Sequence, residues 1–321
     1  MKKDTKQKAI LGIVLLIIII LCAVYVQFNG TNTNNKYNDI SINSEKLNIF
    51  YFNVGQADST LIMHKDKTIL IDAGNDSDGE KILEFIEAKG IEQIDYLVGT
   101  HIHEDHIGGI ADIVDNINVG KIIMPYNEKE ESNFYIKVKN SIQENNLSIW
   151  QVNAKDIFNL SEEISFEILY ADNTEPAEPN NASIVVQLKY GTQKYLFMGD
   201  AEETVESKLL KEGILEDIDV LKVGHHGSNT SSTEAFINNV LPEISIISVQ
   251  NGVYNNVPSK DVINRLEENN NQVYRTDMDG TIWLSSDGVT NIITTLNQLN
   301  LNGANKLGMR VYFKYALFLL G

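Results

Sequence analysis

Cysteine is almost absent from this 321-residue chain: the single one, Cys22, sits inside an apolar run. No internal disulfide can form, and no cysteine-ligated metal site can be built. Basic residues are also scarce. There are 26 Lys and Arg against 44 Asp and Glu, a formal net charge of −18, and no Lys/Arg-rich stripe. The general electrostatic signature of nucleic-acid binding is therefore missing. An acidic surface repels a polyanion held over a broad footprint, although bound metals can dominate the field at a local site and still receive one. No repeat of fixed period recurs, so a solenoid or propeller is not indicated. What remains is globular in character, 43% hydrophobic and 22% charged, with length for one large domain or two ordinary ones.

One long apolar run is present. Ala9 to Val26 carries no charge and is about long enough to cross a bilayer as a helix. Lys2, Lys3, Lys6 and Lys8 precede it against Asp4 alone, so the basic tail 1–8 is expected to stay cytoplasmic. The run is longer than a usual signal-peptide core and no small-x-small cleavage site follows it. Leu21 stands where a lipoprotein signal would want a small residue before Cys22. An uncleaved single-pass anchor over residues 9–28 is the expectation, with a cleaved signal and a secreted product as the alternative. Either places the remainder outside the cytoplasm. Residues 29–46, rich in Asn, Thr and Ser, read as a flexible tether.

From residue 47 to 296 strands and helices alternate. Leu47–Val54, Ser59–His64 and Thr68–Ile71 read as successive strands, and Gly79–Lys89 has helical spacing of Ile82, Leu83, Phe85 and Ile86. Tyr96–Gly99 is a short buried strand, Ile107–Val114 starts a helix, and Lys121–Met124 is another strand. The theme recurs with strands at Ser165–Leu169, Ser183–Lys189, Lys194–Met198 and Val220–Val223 around a helix at Glu202–Leu210. Strands followed by alternating units, twice, suggest an α/β (α+β) protein with two sheets packed face to face and helices outside. Residues 297–321 lose the pattern. Val311–Leu320 is apolar but too short to span a membrane as a helix, and the role of this C-terminal segment is open.

Five of the six histidines fall in two tight clusters. The first is Thr100-His101-Ile102-His103-Glu104-Asp105-His106-Ile107-Gly108-Gly109, placed after a buried strand and before a helix. In an extended turn His101 and His103 point to the same side, and Asp105 and His106 can face a second position. Two His beside an Asp/His pair supply ligands for two neighbouring divalent ions, and the paired glycines let the backbone turn tightly. The second cluster is Val223-Gly224-His225-His226-Gly227-Ser228, again at a strand end. One of its imidazoles can complete a metal site, or the pair can simply pack on the sheet edge. Asp200, after Phe197-Met198-Gly199, can bridge two metals; taken alone it is more simply read as a helix cap. Asp72, ending Leu70-Ile71-Asp72-Ala73-Gly74, can orient a ligand histidine or form an ordinary turn.

Together these segments resemble the metallo-β-lactamase superfamily, and within it the C-terminal hydrolase domain of ComEC-type DNA-uptake proteins and their stand-alone relatives. Phe52-Asn53-Val54-Gly55-Gln56-Ala57-Asp58-Ser59, Asn180-Asn181-Ala182-Ser183, Gly199-Asp200-Ala201-Glu202 and Leu221 to Ser228 carry the closer likeness, over about residues 47–294. The resemblance implies a four-layer αββα sandwich with two metals at one edge. It implies that His101, His103 and His225 hold one ion, that Asp105 and His106 hold the other, and that Asp200 bridges them. Asn180-Asn181 stands where many members place a further metal-binding His, and Tyr254-Asn255-Asn256-Val257-Pro258 lacks the His that ComEC-like domains often carry there. A single anchor helix cannot form a DNA channel, so import by this chain alone is not expected.

The implied chemistry is metal-assisted hydrolysis, with Asp105, His106 and Asp200 central to it and Lys222, His226 or Ser228 contacting substrate oxygens. For His226 a role behind a ligand is an equal reading. Zinc is the default ion for a His-rich site, and mixed His/carboxylate ligation also suits manganese. A phosphodiester, as nucleic acid or a small molecule, is the first substrate expected, by analogy of fold. The alternatives are an ester, thioester or lactam hydrolase, or an inactive anchored binding protein.

Overall fold

The computed structural model describes Tyr37 and residues 40–125, 130–174, 178–250, 252–254, 256–268 and 271–296, with the backbone of 308–312. The expected anchor lies outside the described residues; among those described, no helix is long and apolar enough to cross a membrane. The chain divides into two units, Met1–Ser41 and Ile42–Gly321. Within the first, the Ile40 amide donates to the Tyr37 carbonyl. Everything below belongs to the second.

The described strands run in chain order as β1 (Leu47–Tyr51), β2 (Ser59–His64), β3 (Lys67–Ala73), β4 (Gln93–Val98), β5 (Asn118–Ile123), β6 (Ile149–Trp150), β7 (Ile157–Asn159), β8 (Ile164–Tyr170), β9 (Val185–Tyr190), β10 (Gln193–Phe197), β11 (Val220–Lys222), β12 (Ile244–Ile247), β13 (Gln272–Arg275), β14 (Thr281–Ser286), β15 (Asn291–Leu296) and β16 (Gly308–Tyr312). They form two sheets, ordered β16-β15-β14-β1-β2-β3-β4-β5-β6 and β13-β12-β11-β10-β9-β8-β7. Both are mixed. β1 to β3 pair antiparallel, and β3 to β6 pair parallel. β8 to β10 are antiparallel, and β10 to β13 parallel. The segment after residue 296 thus contributes backbone pairing at the edge of the first sheet, where Gly308–Tyr312 runs antiparallel to β15.

Period-two alternation makes the core. Ile49, Tyr51, Ile69, Ile71, Val98 and Ile123 of the first sheet meet Phe166, Val186, Tyr195, Phe197, Val220 and Ile246 of the second, all buried. Each such side chain contributes about 2 kcal/mol on leaving water. The alternate residues face outward under helices. Phe50 packs on Phe85 of α1 (Gly79–Ala88), with ring centroids 4.8 Å apart. On the other sheet Leu196, Met198, Leu221 and Val223 pack with Val205, Leu209, Phe236 and Leu266 from the flanking helices.

The helix expected over Ile107–Val114 is two pieces, α2 (Glu104–Ile107) and α3 (Ile110–Asn116), parted by Gly108 and Gly109. A Cβ on Gly108 would lie 2.3 Å from the Asp76 amide nitrogen, and one on Gly109 would lie 2.3 Å from the Ala73 carbonyl oxygen. The break therefore lets the turn press directly on the end of β3, which brings the histidine loop against Asp72.

Candidate metal centre

Four parallel-strand ends meet at one edge of the sandwich. β3 delivers Asp72, β4 leads into His101–His106, β10 leads into Asp200, and β11 leads into His225 and His226. Ligands of open α/β sheets gather at such carboxyl ends. Several of these residues hold positive φ: Asp72 at 59°, Gly199 at 53°, His225 at 47° and His226 at 52°. Left-handed conformations in non-glycine residues carry strain that the surrounding structure must overcome.

The buried Asp72 carboxylate accepts the Thr100 amide at 2.7 Å, the Thr100 hydroxyl at 2.9 Å, and faces His106 Nδ1 at 2.8 Å. With Nδ1 held, His106 Nε2 stands 3.2 Å from Asp200 Oδ1. His226 repeats the arrangement: Nδ1 lies 2.9 Å from the Ser248 carbonyl, and Nε2 lies 3.2 Å from Asp105 Oδ2 and 3.6 Å from Asp200 Oδ2. His225 Nδ1 meets the Thr230 hydroxyl at 2.8 Å, leaving Nε2 3.9 Å from Asp200 Oδ2. His101 Nε2 is 3.0 Å from His103 Nδ1 and 3.9 Å from Asp200 Oδ2. Holding one ring nitrogen so that the other is aimed is how proteins orient metal-ligating imidazoles.

Two donors on one tetrahedral zinc stand about 3.4 Å apart. Asp105, His106, Asp200 and His226 meet that spacing, with one donor atom each inside a 4.8 Å cluster. Asp200 also faces His101 and His225, so its two oxygens look to both groups of imidazoles. His106 Nε2 and Asp200 Oδ1 are buried and make no hydrogen bond. Buried polar atoms without hydrogen bonds are costly, and a cation bound to both of these, 3.2 Å apart, would satisfy them. The residues fit a two-metal site.

Lys222 and Ser228 are placed differently from the expectation that they meet substrate. Lys222 is buried, and its Nζ is committed to Asp58 at 2.7 Å and to the Val223 carbonyl at 3.0 Å. It sits on the inward face of β11, where an ammonium must find a carboxylate. The Ser228 hydroxyl, also largely buried, is 3.1 Å from that of Thr230 and so buttresses the His225 turn. His226 aims Nε2 into the donor cluster, the metal-completing place left open for either member of the pair, and not toward substrate. Sequence reasoning gave Asp58 no role, although it ends the Gly55-Gln56-Ala57-Asp58 segment and its burial follows from the apolar strand next to it. Asn180, which stands where many relatives place a further metal-binding His, has its Nδ2 3.5 Å from His225 Nε2.

The sequence pattern of the metallo-beta-lactamase superfamily matches residues 52–250, which contain every residue just described. The chain belongs to the metallo-β-lactamase superfamily. It is 32% identical over 248 residues to ComE operon protein 3 of Bacillus subtilis, covering 71% of this chain and 32% of that one. It is 30% identical over 236 residues to Recombination protein 2 of Haemophilus influenzae, covering 71% and 27%. With Competence protein ComA of Neisseria gonorrhoeae it shares 27% over 248 residues, covering 77% and 33%. The chain spans about a third of the length of these relatives. Among solved structures, the metallo-beta-lactamase fold protein YhfI from Bacillus subtilis superimposes with a TM-score of 0.52 at 9% identity, over 75% of this chain and all of that one, a likeness of fold. The chain is thus a metallo-β-lactamase-fold hydrolase related to competence proteins, with a His/Asp metal site.

Electrostatics of the site couple metal to protons. Burial alone would lower His226, but the Asp200 charge, the Asp105 hydrogen bond and Asp58 outweigh it and raise its pKa to about 9. His106 is likewise raised well above the usual range: burial opposes, while Asp200 and Asp72 prevail. His101 goes the other way, lowered by burial and by neighbouring His106. Before a cation arrives, the carboxylates therefore keep protons on His106 and His226, and a metal must displace them. Loading at pH 7 should release about two protons per chain. Affinity should rise with pH from neutrality through the titration of His226 near pH 9. Calorimetry in buffers of different ionisation enthalpy measures this; metal uptake without proton release would contradict it.

Asp72 gives a second expectation. Asp72→Asn keeps the shape but weakens the hold on His106 Nδ1, so metal affinity should fall about 10- to 100-fold with little change in secondary structure. Competition with a chromogenic chelator reads the change; unaltered affinity would mean that Asp72 serves the turn alone.

Proposed function

We propose that this chain is a membrane-anchored phosphodiesterase acting outside the cytoplasm. The hydrolytic part rests on one observation: Asp200, buried at the edge of the sandwich, faces imidazoles delivered by both sheets while Asp105, His106 and His226 close around it. Bound divalent ions supply Lewis acidity and an activated water to such a site. Asp105, His106, Asp200 and His226 would hold them, Asp105 would also orient the attacking water, and Asp72 and the Ser248 carbonyl keep His106 and His226 aimed.

The phosphodiester preference is supported by kinship with proteins named for competence and recombination. The acidic surface opposes a broad polyanion footprint, so the attraction for a phosphate must be local to the cations. Anchoring is supported by the uncharged run from Ala9 to Val26 behind its lysine-rich flank.

The test is hydrolysis of bis-p-nitrophenyl phosphate by the full chain loaded with zinc or manganese, beside a chromogenic lactam and a p-nitrophenyl ester. Phosphodiester turnover that disappears with a chelator and returns with metal is the expected result. Turnover of the lactam or ester alone would overturn the substrate class and leave the hydrolase.

A further inference from the structure

Two charged groups lie beneath the metal centre, almost wholly out of solvent. The side chains of Lys222 and Asp58 are 3% and 5% exposed, with Nζ 2.7 Å from Oδ2. They come from opposite sheets. Lys222 ends β11, three residues before His225, and shares its inward face with Val220 of the core. Asp58 immediately precedes β2 in the first sheet.

Asp58 is also tied to the ligand loops through its backbone. Its amide donates to the Asp105 carbonyl at 3.0 Å, and its carbonyl accepts the Gly74 amide at 2.8 Å, two residues after Asp72. Its free oxygen, Oδ1, stands 3.7 Å from His226 Nδ1. One residue therefore touches the Asp72 turn and the Asp105 turn and faces His226 of the second sheet, with Lys222 clamping it.

We propose that the Lys222–Asp58 pair is a positioning strut that fixes the first-sheet half of the metal centre against the second-sheet half. The inference rests on the two-metal reading and is independent of the substrate. The core between the sheets is apolar, and apolar packing is non-directional. It leaves the small relative shifts that a metal site does not tolerate, since functional geometry must be held within about 0.5 Å. A buried ion pair is a poor source of stability, because desolvation offsets the attraction and well-packed apolar residues often do better. What it adds is direction. Lys222 and Asp58 are thus positioning residues, and the ion most affected is the one that would be held on the Asp105, His106 and His226 side, where Asp58 makes its contacts.

The test uses the full chain and four variants: Lys222→Met, Asp58→Asn, the double variant Asp58→Asn with Lys222→Gln, and Lys222→Met combined with Asp105→Ala. Affinities for zinc(II) at both sites are measured by chelator competition, with circular dichroism reporting fold and Tm. Lys222→Met should weaken one of the two sites at least tenfold and leave the other within threefold. In the Asp105→Ala background, which already lacks that site, the same change should cost the remaining site less than threefold. The double variant replaces the charges by a neutral hydrogen-bonded amide pair, and should recover the lost affinity to within threefold. If the single variants do not fold, the double variant carries the test alone.

A folded Lys222→Met chain that binds both ions with wild-type affinity, and loses only Tm, overturns the strut. So does a folded double variant that stays tenfold weaker. A wild-type chain that binds no metal overturns the metal centre itself, and is thereby distinguished from failure of the strut.

Discussion

Asp200→Ala is expected to strip the chain of tightly bound metal at both positions and to lower kcat/KM about 1000-fold or more. Asp200 is the residue whose oxygens look to all of His101, His106, His225 and His226, at 3.9, 3.2, 3.9 and 3.6 Å. Other carboxylates have narrower reach: Asp105 faces His226 and His106, and Asp72 faces His106 and Thr100. Removing the shared ligand leaves two groups of imidazoles with nothing to set their separation. The several kcal/mol of transition-state stabilisation that bound ions supply then disappear, at about tenfold per 1.4 kcal/mol. Protons should respond as well. The charge of Asp200 is a main reason that His106 and His226 are raised, so both should titrate lower in the variant. Metal analysis, steady-state kinetics and imidazole titration by NMR read the three effects. Retention of two ions by the folded variant would show that Asp200 does not hold the metals; Glu202, not Asp200, stands at the N-cap of the helix that follows, Glu203–Glu212.

The second large effect concerns a residue with no side chain. Gly109→Ala should lower Tm by about 2 to 12 °C and weaken metal binding with it. The added Cβ would meet the Ala73 carbonyl oxygen at 2.3 Å, the Gly79 amide nitrogen at 2.9 Å and the Gly79 Cα at 3.0 Å, all of them backbone. No flexible side chain can swing away, so either α3 or the end of β3 must move. Overpacking of this kind costs about 1–3 kcal/mol, and a domain of this size loses about 2–4 °C per kcal/mol. Gly109 has φ of −78°, which alanine adopts freely, so the cost is steric and not conformational. Because Ala73 adjoins Asp72, displacement there reaches the anchor of His106. Gly90→Asn is the control: its φ of 65° is one asparagine tolerates, and a Cβ there meets nothing within 4 Å. Equal Tm for the two variants would contradict the packing argument.

Much of this architecture was legible in the sequence, and the parts that were not have physical reasons. The strands with clean alternation or buried apolar runs, such as Ser59–His64 and Lys194–Met198, stand close to the observed β2 and β10. β6 and β7, of two and three residues, are too short to display a period. β14 did alternate, with Ile282 and Leu284 inward between Thr281, Trp283 and Ser285, but its polar residues dilute the apolar signal. The end of the first strand was set too far on: β1 stops at Tyr51, because the segment after it must turn to carry Asp58 beneath the site. At the site, residue type and clustering marked His101, His103, Asp105, His106, Asp200 and the His225-His226 pair as candidates, and of these the structure gathers Asp105, His106, Asp200 and His226 into one donor cluster. Which of the paired histidines faces which carboxylate was not readable. Two successive residues in left-handed conformation send their rings in directions that strand alternation does not describe. Lys222 misled for a related reason. A lysine near a phosphate-type site suggests a substrate contact, and only the register of β11 shows that it points between the sheets.

The central claim is that the strand ends of two sheets build one two-metal hydrolytic centre. Metal content of the purified full chain, measured beside Asp105→Ala after loading with zinc or manganese and removal of free ion, tests it most directly. About two ions per wild-type chain and about one in the variant, with hydrolysis lost, is the result expected. A wild-type chain that retains no metal at saturating zinc or manganese would contradict it.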